Sequence, residues 1–323
     1  MKLAIASALT LALLAPIPHA AHADDYPSRT VTVVVPFPAG GSVDGVARIL
    51  VQKLNETMGQ HFIVENRAGG ASGIVGANAV AKAAADGYTL LLSASVHVIN
   101  PFLYKNVPYD VVHDFTPVTL LAEGPLIVST TPSVPANNLK DFFTLVRKEP
   151  QKYTFGATTI GSASHLAIEL LKLDAGLDTL VVAYKGTAPA LTDLMSGQIQ
   201  LLADPMLSSL PLAQGGKIKA LGLTSLKRAA AAPEIPTVAE SGVKGFAFVS
   251  WYGLWGPKNL PIDISDKLQT QITKLLASPD VKARLSAFGF DPIGTGGEQF
   301  AAYIREEMAK SEKIIKNAKI SAE

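Results

Sequence analysis

The chain has 323 residues, with 28 lysine and arginine residues against 27 aspartate and glutamate residues, and it contains no cysteine. This length allows two domains, and the balanced charge argues against nucleic acid or an anionic membrane surface as the main partner. The lack of cysteine excludes disulfides, thiol catalysis and thiolate metal sites.

The N-terminus has the pattern of a secretory signal peptide. Lys2 precedes an apolar run from Leu3 to Leu14, and Ala21-His22-Ala23 has the small-x-small form that signal peptidase cleaves. We expect residues 1–23 to be removed, so that Asp24 begins the mature chain. The apolar run is too short for a permanent membrane anchor, so the sequence predicts a periplasmic protein.

The first predicted strand, Val31 to Val35, leads through a proline- and glycine-containing loop into an amphipathic helix. Beta-branched residues favour the extended backbone, the prolines end the strand, and Gly40 permits a tight turn. Ser42 or Asp44 can cap the helix that follows. Its first-turn amides suit an anion without requiring a cationic side chain.

Similar glycine- and hydroxyl-rich loops follow two later predicted strands. One strand runs from Phe62 to Glu65 and precedes the loop 66–73, and the other runs from Tyr153 to Ala157 and precedes the loop 158–165. Ligands of open α/β sheets lie beyond the carboxyl ends of the strands. Three such loops therefore suggest one polar binding site.

Strands and helices alternate along most of the remaining chain, which predicts mainly parallel sheets covered by helices. The further predicted elements are strands at Tyr88 to Ser93 and Leu126 to Thr130, a helix at Leu139 to Lys148, strands at Leu180 to Tyr184, Ile199 to Ala203 and Ala220 to Thr224, an aromatic segment at Phe246 to Trp255, and a final helix from Glu298 to Ala318.

These two groups of strands predict two lobes. We expect residues 24–122 and 245–323 to form lobe 1, residues 123–244 to form lobe 2, and a ligand cleft to lie between them.

Several motifs, in one order along the mature chain, resemble a known receptor family. They are Val35-Pro36-Phe37-Pro38-Ala39-Gly40-Gly41 with Asp44, Glu65-Asn66-Arg67 before Gly69-Gly70, Asn100-Pro101 before Pro108-Tyr109-Asp110, Asp114-Phe115-Thr116-Pro117-Val118, Gly161-Ser162 with His165-Leu166, Tyr184-Lys185-Gly186, Ile235-Pro236-Thr237-Val238-Ala239-Glu240 and Trp251-Tyr252-Gly253. The chain thereby resembles the solute receptors of tripartite tricarboxylate transporters, the Bug or TctC-like family.

The resemblance implies an α/β protein with the type II periplasmic-binding-protein (Venus flytrap) fold, in which each lobe is a mainly parallel sheet flanked by helices. Such a receptor closes on a small carboxylate, which can be a di- or tricarboxylate, an amino acid or an aromatic acid. It then delivers the ligand to the permease subunits in the inner membrane.

The ligand-binding residues expected in lobe 1 follow from the resemblance, with Ser93 added from the end of the third strand: Phe37, Ala39, Gly40, Ser42, Asp44, Gly70, Ala71, Ser72 and Ser93. A carboxylate near Asp44 would be repelled, so capping and loop geometry are the preferred role of Asp44 within this set.

Lobe 2 is expected to set selectivity through residues of its own loops: Thr158, Gly161, Ser162, His165, Tyr184, Gly186, Thr187 and Asp204. In amino-acid-binding members an aspartate at a position like Asp204 receives the ligand ammonium. Here Asp204 can do the same, bind a ligand hydroxyl or hold the hinge. For His165 we favour stabilisation of its helix start over ligand contact, and for the aromatic residues Trp251, Tyr252 and Trp255 we favour packing.

Two alternatives change the function. The residue types of a hydrolytic triad are supplied by Ser162, Ser164, His165 and Asp204. Adjacent serine and histidine side chains at one helix start diverge, however, and no Gly-x-Ser-x-Gly motif occurs. A secreted α/β hydrolase is therefore the lesser alternative, and we expect no enzymatic activity. In the other alternative the receptor presents its carboxylate to a sensor kinase.

The remaining expectations concern bound groups and oligomeric state. No phosphate loop, dinucleotide fingerprint or His-Glu-x-x-His motif is present, so no cofactor or metal is expected. A monomer is expected, with no nucleic-acid partner.

Overall fold

The computed structural model describes residues 26–69 and 71–322. Its strands are β1 (Val31–Val35), β2 (Phe62–Asn66), β3 (Thr89–Ala94), β4 (Phe115–Gly124), β5 (Leu126–Thr130), β6 (Thr154–Ala157), β7 (Leu180–Ala183), β8 (Leu201–Pro205), β9 (Lys219–Leu223), β10 (Ser250–Pro257) and β11 (Asp291–Pro292). The predicted signal peptide lies outside the described residues.

The helices of the described residues flank these strands. They are α1 (Ser42–Thr57), α2 (Ile74–Ala81), α3 (Val96–Ile99), α4 (Leu139–Lys148), α5 (Ala163–Ala175), α6 (Thr187–Ser196), α7 (Met206–Gln214), α8 (Ile262–Ala277), α9 (Pro279–Ala287) and α10 (Gly297–Ala318). The strand β5 and the helix α4 have the predicted limits, whereas the aromatic segment becomes a strand only from Ser250.

The first sheet, in the order β11-β4-β10-β3-β1-β2, is buried on both faces. Val31, Val33 and Val35 of β1 belong to the core cluster that contains α1 and α8. Val34 belongs to the cluster on the opposite face, together with Val80 of α2. Successive side chains of a strand point to opposite faces, so a strand covered on both sides has the nearly continuous apolar sequence seen in β1.

The second sheet has the order β7-β6-β8-β5-β9 and is also covered on both faces. Phe155 and Leu201 share a core cluster with Phe142 of α4 and Leu166 of α5. Leu202, the neighbour of Leu201 in the strand β8, packs instead with residues of α6. Helices on both faces leave the strand ends and the loops beyond them available for a binding site.

Both sheets are mixed rather than purely parallel. The strands β1, β2 and β3 are parallel, whereas β10 is antiparallel to β3 and β4. In the second sheet β6, β7 and β8 are parallel, and β5 is antiparallel to β8 and β9. The strands β5 and β10 each follow a crossing between the sheets and start at the edge where their neighbours end, so they run in the opposite direction.

Between residues 71 and 322 the chain crosses between the sheets twice. Pro125 alone separates β4 from β5, and the return from β9 reaches the first sheet at Ser250, which pairs with Gly124. The last helix, α10, packs on β4 and also contacts α5 of the second sheet. Among the described residues no helix is long and apolar enough to span a membrane.

Candidate functional site

The loop after β1 is organised around the buried carboxylate of Asp44. Its Oδ2 accepts hydrogen bonds from the Gly40 amide, at 2.9 Å, and from Nε of Arg48, at 2.8 Å. Its Oδ1 accepts a bond from the side-chain amide of Asn66 at 3.0 Å, and the same amide donates to the Phe37 carbonyl at 3.1 Å. Asn66 ends β2, so one carboxylate and one amide tie the first loop to the second strand.

These contacts determine the charge and the role of Asp44. Burial alone would raise its pKa, but the bonds from Arg48, the Gly40 amide and Asn66 outweigh burial and hold the pKa below its ordinary value. The capping prediction was wrong, because the residue that caps α1 is Gly41, and no side chain accepts a bond there. Asp44 lies in the first turn and fixes Gly40, whose φ of 87° is in the left-handed region.

The loop after β2 reaches across to the second lobe through Ser72. The Ser72 hydroxyl donates to the Ile160 carbonyl at 3.0 Å and lies 3.2 Å from the Tyr104 hydroxyl. Ser72 has a φ of 52°, which is uncommon for a residue with a side chain. Its own carbonyl accepts a bond from the Asn100 side chain at 3.2 Å. The predicted site residue Gly70 lies outside the described residues.

The loop after β6 is held by its own side chains. Ser162 caps α5 by accepting the His165 amide at 3.3 Å, and its hydroxyl lies 3.1 Å from that of Thr158. Nδ1 of His165 accepts the Gly161 amide at 3.1 Å. Burial, with the charge of Lys172, lowers the pKa of His165 to about 4, so the imidazole is neutral at neutral pH and serves as an acceptor.

The two lobes touch at this loop. Gly161 has a φ of 72°, and a β-carbon on it would come within 2.0 Å of the Leu103 side chain. Together with the bond from Ser72 to Ile160, this contact connects the two lobes at the polar loops.

The loop after β7 forms a rim beside the β6 loop. The Gly186 amide donates to the Thr158 carbonyl at 2.7 Å. The Thr187 hydroxyl donates to Oδ1 of Asp204 at 3.0 Å. The Tyr184 hydroxyl, in contrast, donates to Asp193 at 2.7 Å, within the second lobe. Gly186 and Thr187 therefore face the other predicted residues, whereas the hydroxyl of Tyr184 is held by α6.

Asp204, at the end of β8, is fully buried, and its hydrogen-bond partners among the described residues are neutral. Ser209 donates to its Oδ2 at 2.9 Å, Thr187 to its Oδ1, and Ser208 contributes a further hydroxyl bond. Burial raises the pKa of Asp204 to about 6, although these hydroxyl bonds act in the opposite direction. A carboxylate in this setting can still accept bonds from a ligand hydroxyl or ammonium group.

The remaining predicted residues of lobe 1 lie around the loops. Ser93 is buried in β3, opposite Gly253. The Phe37 ring lies beside Gly73 and so connects the first two loops, whereas Ala39 is exposed at the turn. Ala71 belongs to the short 3-10 turn Ala71–Gly73.

Sequence reasoning overlooked the hydroxyl of Tyr252. The Tyr252 ring packs on Phe290 with a centroid distance of 4.9 Å, as predicted for this aromatic segment. Its hydroxyl lies 3.3 Å from the Ser250 hydroxyl and also forms a side-chain hydrogen bond with Ser42. Burial raises the pKa of Tyr252 to about 12, and the charge of Asp204 acts in the same direction. Ser250 and Tyr252 alternate on one face of β10, which was the available signal in the sequence.

The family model described as the tripartite tricarboxylate transporter family receptor matches residues 46–320. The chain belongs to this family. The predicted two-lobed α/β fold of periplasmic binding proteins is confirmed by its similarity to solved members of that fold.

Three solved structures resemble this receptor closely. The R. palustris protein Rpa4515 with adipate is 37% identical, with a TM-score of 0.88 over 92% of this chain and 99% of that one. The periplasmic binding protein BugD is 36% identical, with a TM-score of 0.84 over 91% of this chain and 99% of that one. MatC from Rhodopseudomonas palustris with bound malate is 33% identical, with a TM-score of 0.80 over 90% of this chain and 100% of that one.

The side chains of Ser162, His165 and Asp204 do not form a hydrolytic relay with one another. The Ser162 hydroxyl donates to the Thr159 carbonyl, at 2.7 Å, and Nδ1 of His165 accepts a backbone amide. The oxygens of Asp204 accept hydroxyl bonds from Thr187 and Ser209. A relay requires hydrogen bonds from nucleophile to imidazole and from imidazole to carboxylate, and each of these groups is bonded elsewhere.

Proposed function

We propose that the protein is a periplasmic solute receptor that binds a small carboxylate between its lobes and delivers it to the permease of a tripartite tricarboxylate transporter. The signal peptide, residues 1–23, directs the chain to the periplasm. Residues 24–122 and 245–323 act as lobe 1, and residues 123–244 act as lobe 2. The mature receptor acts as a monomer.

The observation that carries this proposal is the convergence of polar loops from both lobes. The loops after β1 and β2 are joined through Asn66, and Ser72 reaches the β6 loop of the second lobe. Backbone amides and hydroxyl groups can satisfy the oxygens of a carboxylate without a cationic side chain. The adipate and malate bound to two similar proteins belong to this class of ligand.

The two lobes have different roles in the proposed mechanism. The carboxylate binds first to the loops 37–44 and 70–72, and Asp44, bonded to Arg48, holds the backbone of the first loop at Gly40. Contacts with the second lobe, around Thr158, Ser162, Thr187 and Asp204, exist only when the lobes are close together. Binding therefore shifts the population towards the closed form by the free energy of those contacts.

Thermal shift measurements on the mature protein test the ligand class. Ligand binding to the native state raises the melting temperature. We expect a rise with adipate, malate or another di- or tricarboxylate, and none with the matched diamides, which have the same carbon chains without charge. A rise with amines or sugars, but with no acid, would contradict the proposal.

Uptake measurements test delivery. Cells that contain the permease should accumulate the radiolabelled acid only when the receptor is present. If an acid binds the receptor but cells accumulate it equally well without the receptor, the delivery step is contradicted. The proposal that the receptor binds a carboxylate would still stand.

A further inference from the structure

A cavity of about 450 Å³ lies beside the two crossings between the sheets, and both lobes line it. We call it the hinge cavity. Glu123 and Asp291 belong to its first-sheet wall, Lys227 and Arg228 to its second-sheet wall, and Pro125 and Val249 to the crossing segments. The contacts described for the ligand site involve none of these six residues, although Phe290, on which the Tyr252 ring packs, also lines the cavity.

The strand orders place the hinge cavity on the opposite side of the crossings from the ligand loops. The ligand loops follow β1 and β2 at one lateral edge of the first sheet, and β6 and β7 at the corresponding edge of the second. The hinge cavity adjoins β4, β11 and the segment after β9, at the opposite lateral edges. A rotation that separates the ligand loops therefore brings the walls of the hinge cavity together.

The two walls carry opposite charges. Glu123 of β4 and Asp291 of β11 are cross-strand partners, an arrangement that repels like charges. Burial raises the pKa of Glu123, as do the charges of Asp291 and Glu307, whereas a hydrogen bond with Tyr303 and the charge of Lys310 act in the opposite direction. On the other wall, Arg228 is bound to Glu240 at 2.9 Å, whereas Lys227 is exposed.

We propose that the hinge cavity regulates closure of the ligand cleft, because its walls meet in the open form and Lys227 then pairs with Glu123 and Asp291. These ion pairs stabilise the open form, and ligand contacts stabilise the closed form. A change that keeps the walls apart favours the closed form before ligand arrives and so increases affinity. The inference rests on the proposed function, since it concerns how readily the same cleft closes on its ligand.

Two substitutions in the mature protein test this inference. Lys227→Glu replaces attraction in the open form by repulsion, and we expect a Kd for adipate or malate about twofold to fivefold lower, the range of an exposed ion pair. Ala230→Trp places an indole in the hinge cavity, and we expect a Kd about tenfold lower. Salt at about 0.5 M should abolish the effect of Lys227→Glu and leave that of Ala230→Trp, because only the former is electrostatic.

Matched controls separate this effect from general changes of surface or charge. Lys140→Glu and Ala283→Trp change exposed residues that do not line the hinge cavity, and we expect wild-type affinity from both.

Small-angle X-ray scattering of the ligand-free proteins tests the hinge separately from the ligand. Both cavity variants should have a smaller radius of gyration than the wild type, and the controls should not. This result requires no acid, so it stands even if neither adipate nor malate binds and the proposed function fails. The inference would be overturned if both cavity variants had the wild-type radius of gyration and Kd. A Kd higher than that of the wild type would also overturn it.

Discussion

Two buried aspartates lie in the ligand region, and their neighbours give them opposite behaviour. Asp44, in the first lobe, accepts bonds from a guanidinium group, a backbone amide and a side-chain amide, which hold its pKa low. Asp204, in the second lobe, accepts bonds from hydroxyl groups in the described part of the chain, and its burial raises its pKa to about 6. The charge of Asp44 is therefore neutralised within its own lobe, whereas Asp204 keeps acceptor capacity for a ligand. We expect Asp44 to fix the conformation of the site and Asp204 to contribute to ligand selectivity.

The largest effect expected from this comparison is that of Asp44→Ala. Removal of the carboxylate leaves the Gly40 amide and Asn66 without their acceptor, so we expect a loss of about 2–3 kcal/mol of unfolding free energy. Acid binding should weaken by about a hundredfold, because the loop loses the conformation that presents its amides. Urea unfolding and calorimetric titration measure the two effects.

The stability lost in Asp44→Ala should depend on pH in one direction. The folded-state pKa of Asp44 is lowered, so its stabilisation is present above the pKa of the unfolded chain and is lost as pH falls through the folded value. The difference between wild type and Asp44→Ala should therefore shrink in acid. A difference that is constant or grows as pH falls would contradict the role assigned to Asp44.

Asp204→Asn should have the opposite effect on stability. The pKa of Asp204 rises from 3.8 to about 6, so the folded state holds its proton where the unfolded state has lost it, and wild-type stability falls as pH rises through this window. At pH 7 the variant should be about 2–3 kcal/mol more stable than the wild type, at 1.36 kcal/mol for each pKa unit. Thermal unfolding at pH 4 and pH 7 measures this gain.

Asp204→Asn also tests whether Asp204 contributes to ligand selectivity. An amide has less acceptor capacity than a carboxylate, so malate, which has a hydroxyl group, should bind about tenfold more weakly. Adipate, which has none, should bind as before. Equal losses for both acids would assign Asp204 to the hinge.

Ser72→Ala tests the contact between the two lobes. Loss of the bond to the Ile160 carbonyl should weaken closure and raise the Kd about fivefold to tenfold. Ser72→Gly also removes the hydroxyl, but glycine adopts the left-handed backbone without strain. Its melting temperature should therefore be higher than that of Ser72→Ala, and its Kd should be the same. Wild-type affinity in both variants would exclude this contact from closure.

The smallest effect is expected from Tyr252→Phe. The ring and its packing on Phe290 remain, and only the hydroxyl beside Ser250 and Ser42 is lost. We expect a Kd raised about twofold to threefold and little change in melting temperature. Trp255→Phe, a change within the packed core, is the comparison: it should lower the melting temperature and leave the Kd unchanged.

Much of the fold could be predicted because local patterns reflect burial. The apolar run from Val31 to Val35 is continuous because β1 is covered on both faces, and the helix Leu139–Lys148 begins after Asn138, whose side chain caps it. The three polar loops were located by their glycine and hydroxyl content after such strands. The direction of β5 and β10 was not evident, because a reversed strand has the same side-chain alternation as its neighbours.

The site was predicted as a set of loops, but not as a network. Ser72 and Ile160 are 88 residues apart, and Asp44 and Asn66 are 22 apart, so no local pattern links either pair. The hydroxyl of Tyr252 was overlooked because the aromatic segment was assigned to packing, and its ring does pack on Phe290.

By itself, the sequence determined the strands, the helices, the polar loops at their junctions and the resemblance to one receptor family, since each is written in residue types a few positions apart. Only the tertiary structure decided which loops meet, which aspartate is neutralised and which keeps acceptor capacity, and that oppositely charged walls face each other behind the hinge. The physical reason is that pKa values and contacts depend on distances between segments, and strand order and the crossings between the sheets set those distances.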